Sequence, residues 1–303
     1  MLKIIEMRMG MCYNDSMDGV SVKAYAKINL SLDITGSHGG YHSIDSVVAS
    51  IDIADLVTAR RRDDGLINVG MSGMGCENLP ADRNNAVKAA LAFKEAFSTT
   101  GADIEICKSI PVGAGLGGSS ADVAGVLNAL AVLYGITDYS AVKTLADGIG
   151  SDCGYMLRGG FARITGRGER VAPITCRTQL YLLLALPDEG VSTKRCYELS
   201  DVYPEMRRTS QFVQSALCDE RLAELGRMLS NGLYPAAAVI NPQVRDAYNE
   251  LSALSPAGVN MTGSGSAVYA LFGDRAARDA ALKNYKGTCS VLATRTIIPE
   301  RHI

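Results

Sequence analysis

The chain has 303 residues, of which 47% are hydrophobic, and a formal net charge of -2. That is enough apolar material for one large domain or two ordinary ones, and the near-neutral balance leaves no electrostatic footprint for nucleic acid. Basic runs are short, and "ARRRDD" at 59–64 cancels itself and reads as a solvated hairpin. The most apolar run, "LYLLLALP" at 180–187, falls far short of the roughly 20 residues of a membrane span and fits a buried strand. The 8 cysteines form no C-x-x-C pair, so they read as reduced core thiols of a cytoplasmic protein rather than a disulfide framework or zinc site. Only three histidines occur, His38, His42 and His302, which argues against a His-rich metal site; no protein ligands to a metal are assigned. The opening 19 residues lack the apolar centre of a signal peptide. They read as a frayed extension or a start placed too early, since Met7, Met9, Met11 and Met17 also offer starts.

Along the chain, residues 21–34 alternate cleanly. Val22, Ala24, Ala26, Ile28, Leu30, Leu32 and Ile34 fall on one face, while Lys23, Tyr25, Lys27, Asn29, Ser31 and Asp33 fall on the other. This predicts one strand with one buried face. "GSHGGYH" is a glycine turn, and 43–61 is strand material. Residues 84–97 are helical by propensity, "ADIEICKSI" is a strand, and a helix is predicted from 119 to 133. In that helix Val123, Val126, Leu127, Leu130 and Leu133 share a face, and Gly135 is its stop. A helix near 139–147 leads into a turn, a short helix or strand, and a hairpin. The second half places a strand near Tyr181, helices near Lys194, Arg221 and Val244, a glycine turn at "MTGSGSA", and a last helix and strand. Mixed order argues for α+β rather than a regular βαβ array, with a domain boundary between 171 and 179.

The stretch "IPVGAGLGGSSADVAGVLNAL" at 110–130 is glycine-dense and then abruptly helical. Glycines at a helix start let backbone N–H groups approach a ligand, and the helix dipole favours an anion there. Ser119 and Ser120 add hydroxyls, which completes the outline of a phosphate cradle. A Walker A loop would end in Gly-Lys-Ser/Thr, and no such lysine is present. Gly113, Gly115 and Gly118 satisfy G-x-G-x-x-G, but Pro111 precedes them and the next helix leads to another helix, against a dinucleotide fold. No H-R-D or D-F-G follows, against a protein kinase. The bland alternative is a tight turn with a serine N-cap.

The loop has company. "PVGAGLGGSSAD" resembles the second motif of the GHMP kinase superfamily, "AYAKINLSLDITG" its N-terminal motif and "NMTGSGSAVYALF" its C-terminal motif, in order from Ala24 to Phe272. "GYHSIDSVV", "GSDCGYMLRGGFARITGRGE", "GVSTKRCYEL" and "NGLYPAAAVINPQV" resemble, within it, the 4-diphosphocytidyl-2-C-methyl-D-erythritol kinases. The resemblance implies two α+β domains, 1–172 and 173–303, with the active site in the cleft between them. It also implies ATP with Mg²⁺, a small-molecule substrate, and no nucleic acid or membrane partner, in a monomer or homodimer.

By the same resemblance the catalytic lysine falls on Lys27 and the catalytic aspartate on Asp152. Asn85, Lys108, Pro111, Gly113, Gly115, Gly117, Gly118, Ser119 and Ser120 fall at the nucleotide, and a side chain at Gly117 is expected to crowd the phosphates. Asn29, Tyr41, His42, Gly263, Ser264 and Gly265 fall at the acceptor substrate, Tyr41 and His42 at its cytosine. Taken alone, Lys27 reads as an exposed strand charge, Asp152 as a turn or helix cap, Asn85 as a helix cap and Lys108 as a solvated strand-end charge. Tyr41 alone reads as a hairpin tip packed on the domain, and 263–265 as a plain turn. The chain departs from the family pattern at Ser119 (often Gly), Gly154 (often Pro), Gly39 (often Asp), and at Gly232 and Tyr234 (often acidic). These departures bear on substrate contacts more than on phosphoryl transfer. The rival readings are another superfamily kinase, of homoserine or mevalonate type, and a catalytically inactive ligand-binding homologue.

Overall fold

A computed structural model describes residues 19–38, 41–76, 84–205 and 207–303. The extension at 1–18, Cys12, and the turn centre at 39–40 with the Gly39 departure lie outside the described residues. The first half contributes β1 (Gly19–Asn29), β2 (Ser31–His38), β3 (Tyr41–Arg62), β4 (Ile67–Gly73), α1 (Asn85–Phe97), β5 (Gly101–Lys108), α2 (Gly118–Tyr134), α3 (Tyr139–Ile149), α4 (Cys153–Met156), β6 (Phe161–Gly166) and β7 (Arg170–Pro173). The second contributes β8 (Tyr181–Leu186), α5 (Thr193–Ser200), α6 (Ser210–Cys218), α7 (Leu222–Met228), β9 (Ser230–Asn231), α8 (Tyr234–Ile240), α9 (Pro242–Ser252), β10 (Gly258–Met261), β11 (Val268–Phe272), α10 (Arg275–Asn284) and β12 (Ser290–Arg295).

Two sheets organise these elements. The larger runs β4-β5-β3-β2-β9, with β1 and the β6–β7 hairpin also paired to β3. Its 22-residue β3 is long enough to serve several partners at different points along its length. The smaller runs β10-β11-β8-β12 and is antiparallel throughout. Strand β9, from the second half, pairs in parallel with β2 of the first sheet.

Where the structure differs from the sequence reading, burial supplies the reason. The single strand expected over 21–34 bends at Leu30 and becomes β1 and β2. Its polar face is solvated only at the start: Lys27, Asn29, Ser31 and Asp33 are as buried as the apolar residues between them. Helix α2 is buried on nearly every side, not on one stripe. It lies so close to the sheet that a Cβ on Gly125 would stand 2.6 Å from Val57 Cγ2 and 2.9 Å from Ala24 Cβ. Strand β4 is absent from the sequence reading: it is a short, glycine-bearing, half-exposed edge strand whose apolar alternation is confined to Ile67, Val69 and Met71. Cys153, Cys196 and Cys289 are core residues as expected, whereas Cys218 is exposed.

Candidate active site

Lys27 sits on β1 where that strand runs under the glycine loop, and its own N–H donates to Leu116 O at 3.0 Å. Its side chain is 6% exposed, and Nζ has two partners: Asn29 Oδ1 at 2.8 Å and Asp152 Oδ2 at 3.4 Å. The exposed strand charge read from alternation is thus a buried ammonium. Asp152 stands at the N-cap position of α4, yet its side chain makes no capping bond. Its carboxylate, 29% exposed, is turned toward Lys27 instead. The adjacent Cys153 is no rival nucleophile, since burial pushes its thiol up to about 11.

Asn29 ties the first motif to the third. Its side-chain carbonyl accepts from Lys27 and from Gly263 N at 2.9 Å, and its amide donates to Ser46 Oγ at 2.9 Å. Its backbone N–H donates to Thr262 Oγ1 at 3.2 Å, and Thr262 Oγ1 also lies 3.2 Å from Gly115 O. Gly115 and Gly263 both have positive φ, at 76° and 56°. They pack back to back so tightly that a Cβ on Gly263 would sit 2.8 Å from Gly115 O, which no residue but glycine tolerates there. Ser264 and Thr193 share a 2.8 Å hydroxyl bond, which fixes the start of α5 to the same turn.

The glycine loop borders a cavity of about 410 Å³. Asn85, Lys108, Pro111, Gly113, Gly115, Gly117, Gly118, Ser119 and Ser120 all line it. Gly117 is the N-cap of α2 in the left-handed conformation, with no side chain to occupy the free N–H groups behind it. The expectation for Gly117 needs correction. A Cβ there would strike Met156 Cε and stand 3.2 Å from Lys27 Cγ. A larger residue would therefore displace the lysine stem rather than only crowd a phosphate. Asn85 is not the cap of α1; Asn84 is, accepting from Ala86 N, which leaves Asn85 Nδ2 3.3 Å from Ser119 Oγ.

Lys108 is not the solvated strand-end charge of the bland reading. It is buried between two carboxylates, donating to Asp55 Oδ2 and, at 2.7 Å, to Asp122 Oδ2. Asp55 Oδ1 meanwhile accepts from Ser109 N at 2.6 Å and Ile110 N at 2.8 Å, clamping the entry to the loop. Burial works against the Lys108 charge, but Asp122 and Asp55 outweigh it and hold its pKa above the ordinary range. Burial pushes the Asp122 carboxyl up to about 7. Two buried carboxylates against one ammonium leave a surplus negative charge, and one of them answers by holding a proton more tightly. Asp122 lies inside the quoted loop, and Asp55 lies on β3 with its side chain fully buried. Buried acid is the signal that was missed.

At the other end of the site, His42 Nε2 lies 2.8 Å from Asp201 Oδ1, and its ring stacks on Tyr197 with centroids 5.1 Å apart. Tyr41 is 56% exposed rather than packed on the domain, and the Arg167 guanidinium lies 3.7 Å from its ring centroid. Burial raises the Tyr197 phenol, and the Asp152 charge adds to that rise, so the two ends of the site are in electrostatic reach. Tyr197, Asp201 and Arg167 were not singled out from sequence, since nothing in a single chain distinguishes them from surface residues.

Residues 84–161 match the GHMP kinases N terminal domain and residues 213–290 the GHMP kinases C terminal domain. The 4-diphosphocytidyl-2-C-methyl-D-erythritol kinase of Brevibacillus brevis is 37% identical over 265 residues, spanning 83% of this chain and 87% of the relative. That of Carboxydothermus hydrogenoformans is 39% identical over 259 residues, spanning 82% and 86%. The chain belongs to the 4-diphosphocytidyl-2-C-methyl-D-erythritol kinase family. A crystal structure of 4-(cytidine 5'-diphospho)-2C-methyl-D-erythritol kinase superposes with a TM-score of 0.74 at 27% identity, covering 91% of this chain and 98% of its own. The homoserine kinase of Cytophaga hutchinsonii shares the fold, with a TM-score of 0.71 at 19% identity over 96% and 98% of the two chains. Membership accounts for the α+β GHMP architecture and for the order of the three motifs. Among the described residues, no helix is long and apolar enough to cross a membrane.

Proposed function

We propose that the chain transfers the γ-phosphoryl group of ATP to a hydroxyl of 4-diphosphocytidyl-2-C-methyl-D-erythritol, a step of non-mevalonate isoprenoid precursor biosynthesis. The observation that carries the reading is the Lys27–Asp152 pair, 3.4 Å apart, with the Lys27 stem packed beside Gly117 of the glycine-lined cavity. Phosphoryl transfer is mostly positioning and charge stabilisation. The cavity takes the nucleotide, with phosphates at the open N-terminus of α2 and Asn85 beside Ser119. Asp152 orients the acceptor hydroxyl and takes its proton, and Lys27 holds that carboxylate in place and steadies the migrating phosphoryl group. Lys108 acts from beneath, because its ammonium is committed to Asp55 and Asp122. Tyr41 offers an aromatic face for cytosine and His42 a polar edge, with Gly263, Ser264 and Gly265 at the phosphoryl side.

ATP is proposed to enter with Mg²⁺. Asp122 Oδ1 is buried without a hydrogen-bond partner and Asp122 lines the same cavity as Ser119 and Ser120. One carboxylate and a hydroxyl suit a cation held chiefly by phosphates and water. When bound, Mg²⁺ supplies neutralisation of the phosphate charge.

An inactive homologue would have no need to hold a lysine and an acid together at the loop, so the pair favours an enzyme. The proposed division, 1–172 and 173–303, agrees with a second sheet built wholly from strands after residue 180; β9, paired with β2, and α6, bonded through Ser210 to Asp33, cross it. The enzyme is proposed to be cytoplasmic, a monomer or homodimer, acting on a small molecule without nucleic acid or membrane. The test is a panel of alcohols incubated with ATP and Mg²⁺ and scored for ADP release. Diphosphocytidyl-methylerythritol should exceed homoserine, mevalonate and galactose; mevalonate as the best substrate would overturn the narrow reading.

A further inference from the structure

The turn that presents Asp152 is packed from behind by an ion pair that phosphoryl transfer, as described above, does not use. On α3, Lys143 Nζ and Asp147 Oδ2 lie 2.5 Å apart, one helical turn from each other. A Cβ built on Gly154 would collide with Asp147 Oδ1, stand 3.1 Å from Asp147 Cγ and stand 3.3 Å from Lys143 Nζ. The pair occupies the space that any side chain at position 154 would need. Asp147 Oδ1 is sealed from solvent and has no hydrogen-bond partner. An oxygen buried in that way is costly; it packs against Gly154, and Lys143 holds its sister oxygen.

The same cluster reaches a third element. Lys143 Nζ lies 3.4 Å from Glu169 O, in the turn between β6 and β7. Gly168 of that turn has φ 116°, and a Cβ there would be 3.1 Å from both Ser151 Cβ and Ser151 O. So α3 and the β6–β7 turn both close on the backbone at 150–154, where α4 begins. Asp152 itself makes no capping bond to α4 and is met by Lys27 at 3.4 Å. The direction of its carboxylate is therefore set by the backbone beneath it, and that backbone is set by what is packed against Gly154.

We propose that Lys143 and Asp147 are positioning residues for phosphoryl transfer, their ion pair filling the space over Gly154 and fixing the turn that aims Asp152 at Lys27. The proposal rests on the reading of Asp152 as the proton acceptor. A shift of about 1 Å in a reacting group costs on the order of 10² in rate, so a wedge at this contact is a sensitive probe.

The experiment measures single-turnover phosphoryl transfer, ATP affinity and acceptor KM in Gly154→Ala, Asp147→Ala and the double variant, each also in an Asp152→Asn background, with thermal midpoints alongside. Gly154→Ala should lower the transfer rate by about tenfold or more, with ATP affinity and acceptor KM within about twofold. Asp147→Ala should lower it less. The double variant should be faster than Gly154→Ala, because the new methyl group fills the space the carboxylate vacated. In the Asp152→Asn background none of the three should change the rate by more than about twofold, since the aim of a missing carboxylate no longer matters. If Gly154→Ala does not fold, Asp147→Ala in the two backgrounds carries the same decision. Equal rate losses in both backgrounds, or a wild-type rate in Gly154→Ala, would overturn the proposal. Wild-type transfer by Asp152→Asn alone would instead overturn the reading of Asp152 on which it stands.

Discussion

Replacing Asp152 by Asn keeps the size of the side chain while removing its charge and its ability to accept a proton. At 3.4 Å from Lys27 Nζ, the lost Coulomb attraction is about 5 kcal/mol before solvation is counted, at the effective dielectric near 20 that suits partly buried pairs. Most of that is not lost from folding. Lys27 keeps Asn29 Oδ1 at 2.8 Å, so its ammonium is not left bare, and Asp152 is 29% exposed, so water already screens the pair. The chemistry has no such cushion. Loss of a general base lowers kcat by about 10²–10⁴, equivalent to about 3–5 kcal/mol of barrier. Lys27→Met should also lower kcat, and the double variant should lose less than the product of the two, because the residues act as a unit. Single-turnover transfer separates this from binding, which is measured independently for ATP and the acceptor and should hold. An Asp152→Asn enzyme that transfers phosphate at the wild-type rate would remove Asp152 from the mechanism and leave its segment as a turn.

Two further outcomes follow from the site. Tyr41→Ala removes a stacking face worth roughly 1–3 kcal/mol, so acceptor KM should rise while ATP affinity stays level; equal losses for both ligands would make Tyr41 structural. Folded Asp122 titrates near 7 against about 3.9 in the unfolded chain, so the folded state holds the extra proton between those values. The stability this confers is complete below about pH 4 and is lost as pH rises through 7. Asp122→Asn should flatten the dependence of the thermal midpoint on pH across that window, and an unchanged slope would locate the titration elsewhere.

Much of the fold was legible because its elements carry local signals. Apolar alternation marks β1 and β5, a continuous apolar run marks β8, Gly135 marks the end of α2, and the glycines of 113–118 mark a junction that needs backbone freedom. What the pattern could not carry was burial on the second face. Lys27, Asn29 and Asp33 alternate like a solvated edge, yet the glycine loop, the third motif and the start of α6 cover them, through partners as distant in sequence as Thr262, Gly263, Thr209 and Ser210. Asn84 and Asn85 look interchangeable in the sequence; only the geometry assigns the cap to the first and frees the second. Lys108 alone reads as a solvated strand-end charge because its two acids lie 53 and 14 residues away. Sequence position says nothing about such a meeting.

That dependence on distant partners has a physical cause. Gly113, Gly115 and Gly117 all adopt positive φ, as does the turn at Gly263 and Gly265. Neither segment is stable by its own propensity, since glycine loses more conformational freedom on ordering than any other residue. Each supplies the constraint the other lacks. Thr262 reaches Gly115 O, Ala267 N donates to Ala114 O at 3.1 Å, and Asn29 holds Gly263 N from below. Asn29 is also the residue that holds Lys27. The strand that carries the lysine, the loop that cradles phosphate and the turn that closes over them are therefore ordered together or not at all. A site assembled in this way places its ammonium by the same bonds that shape its phosphate pocket, so nucleotide geometry and catalytic geometry cannot drift apart independently.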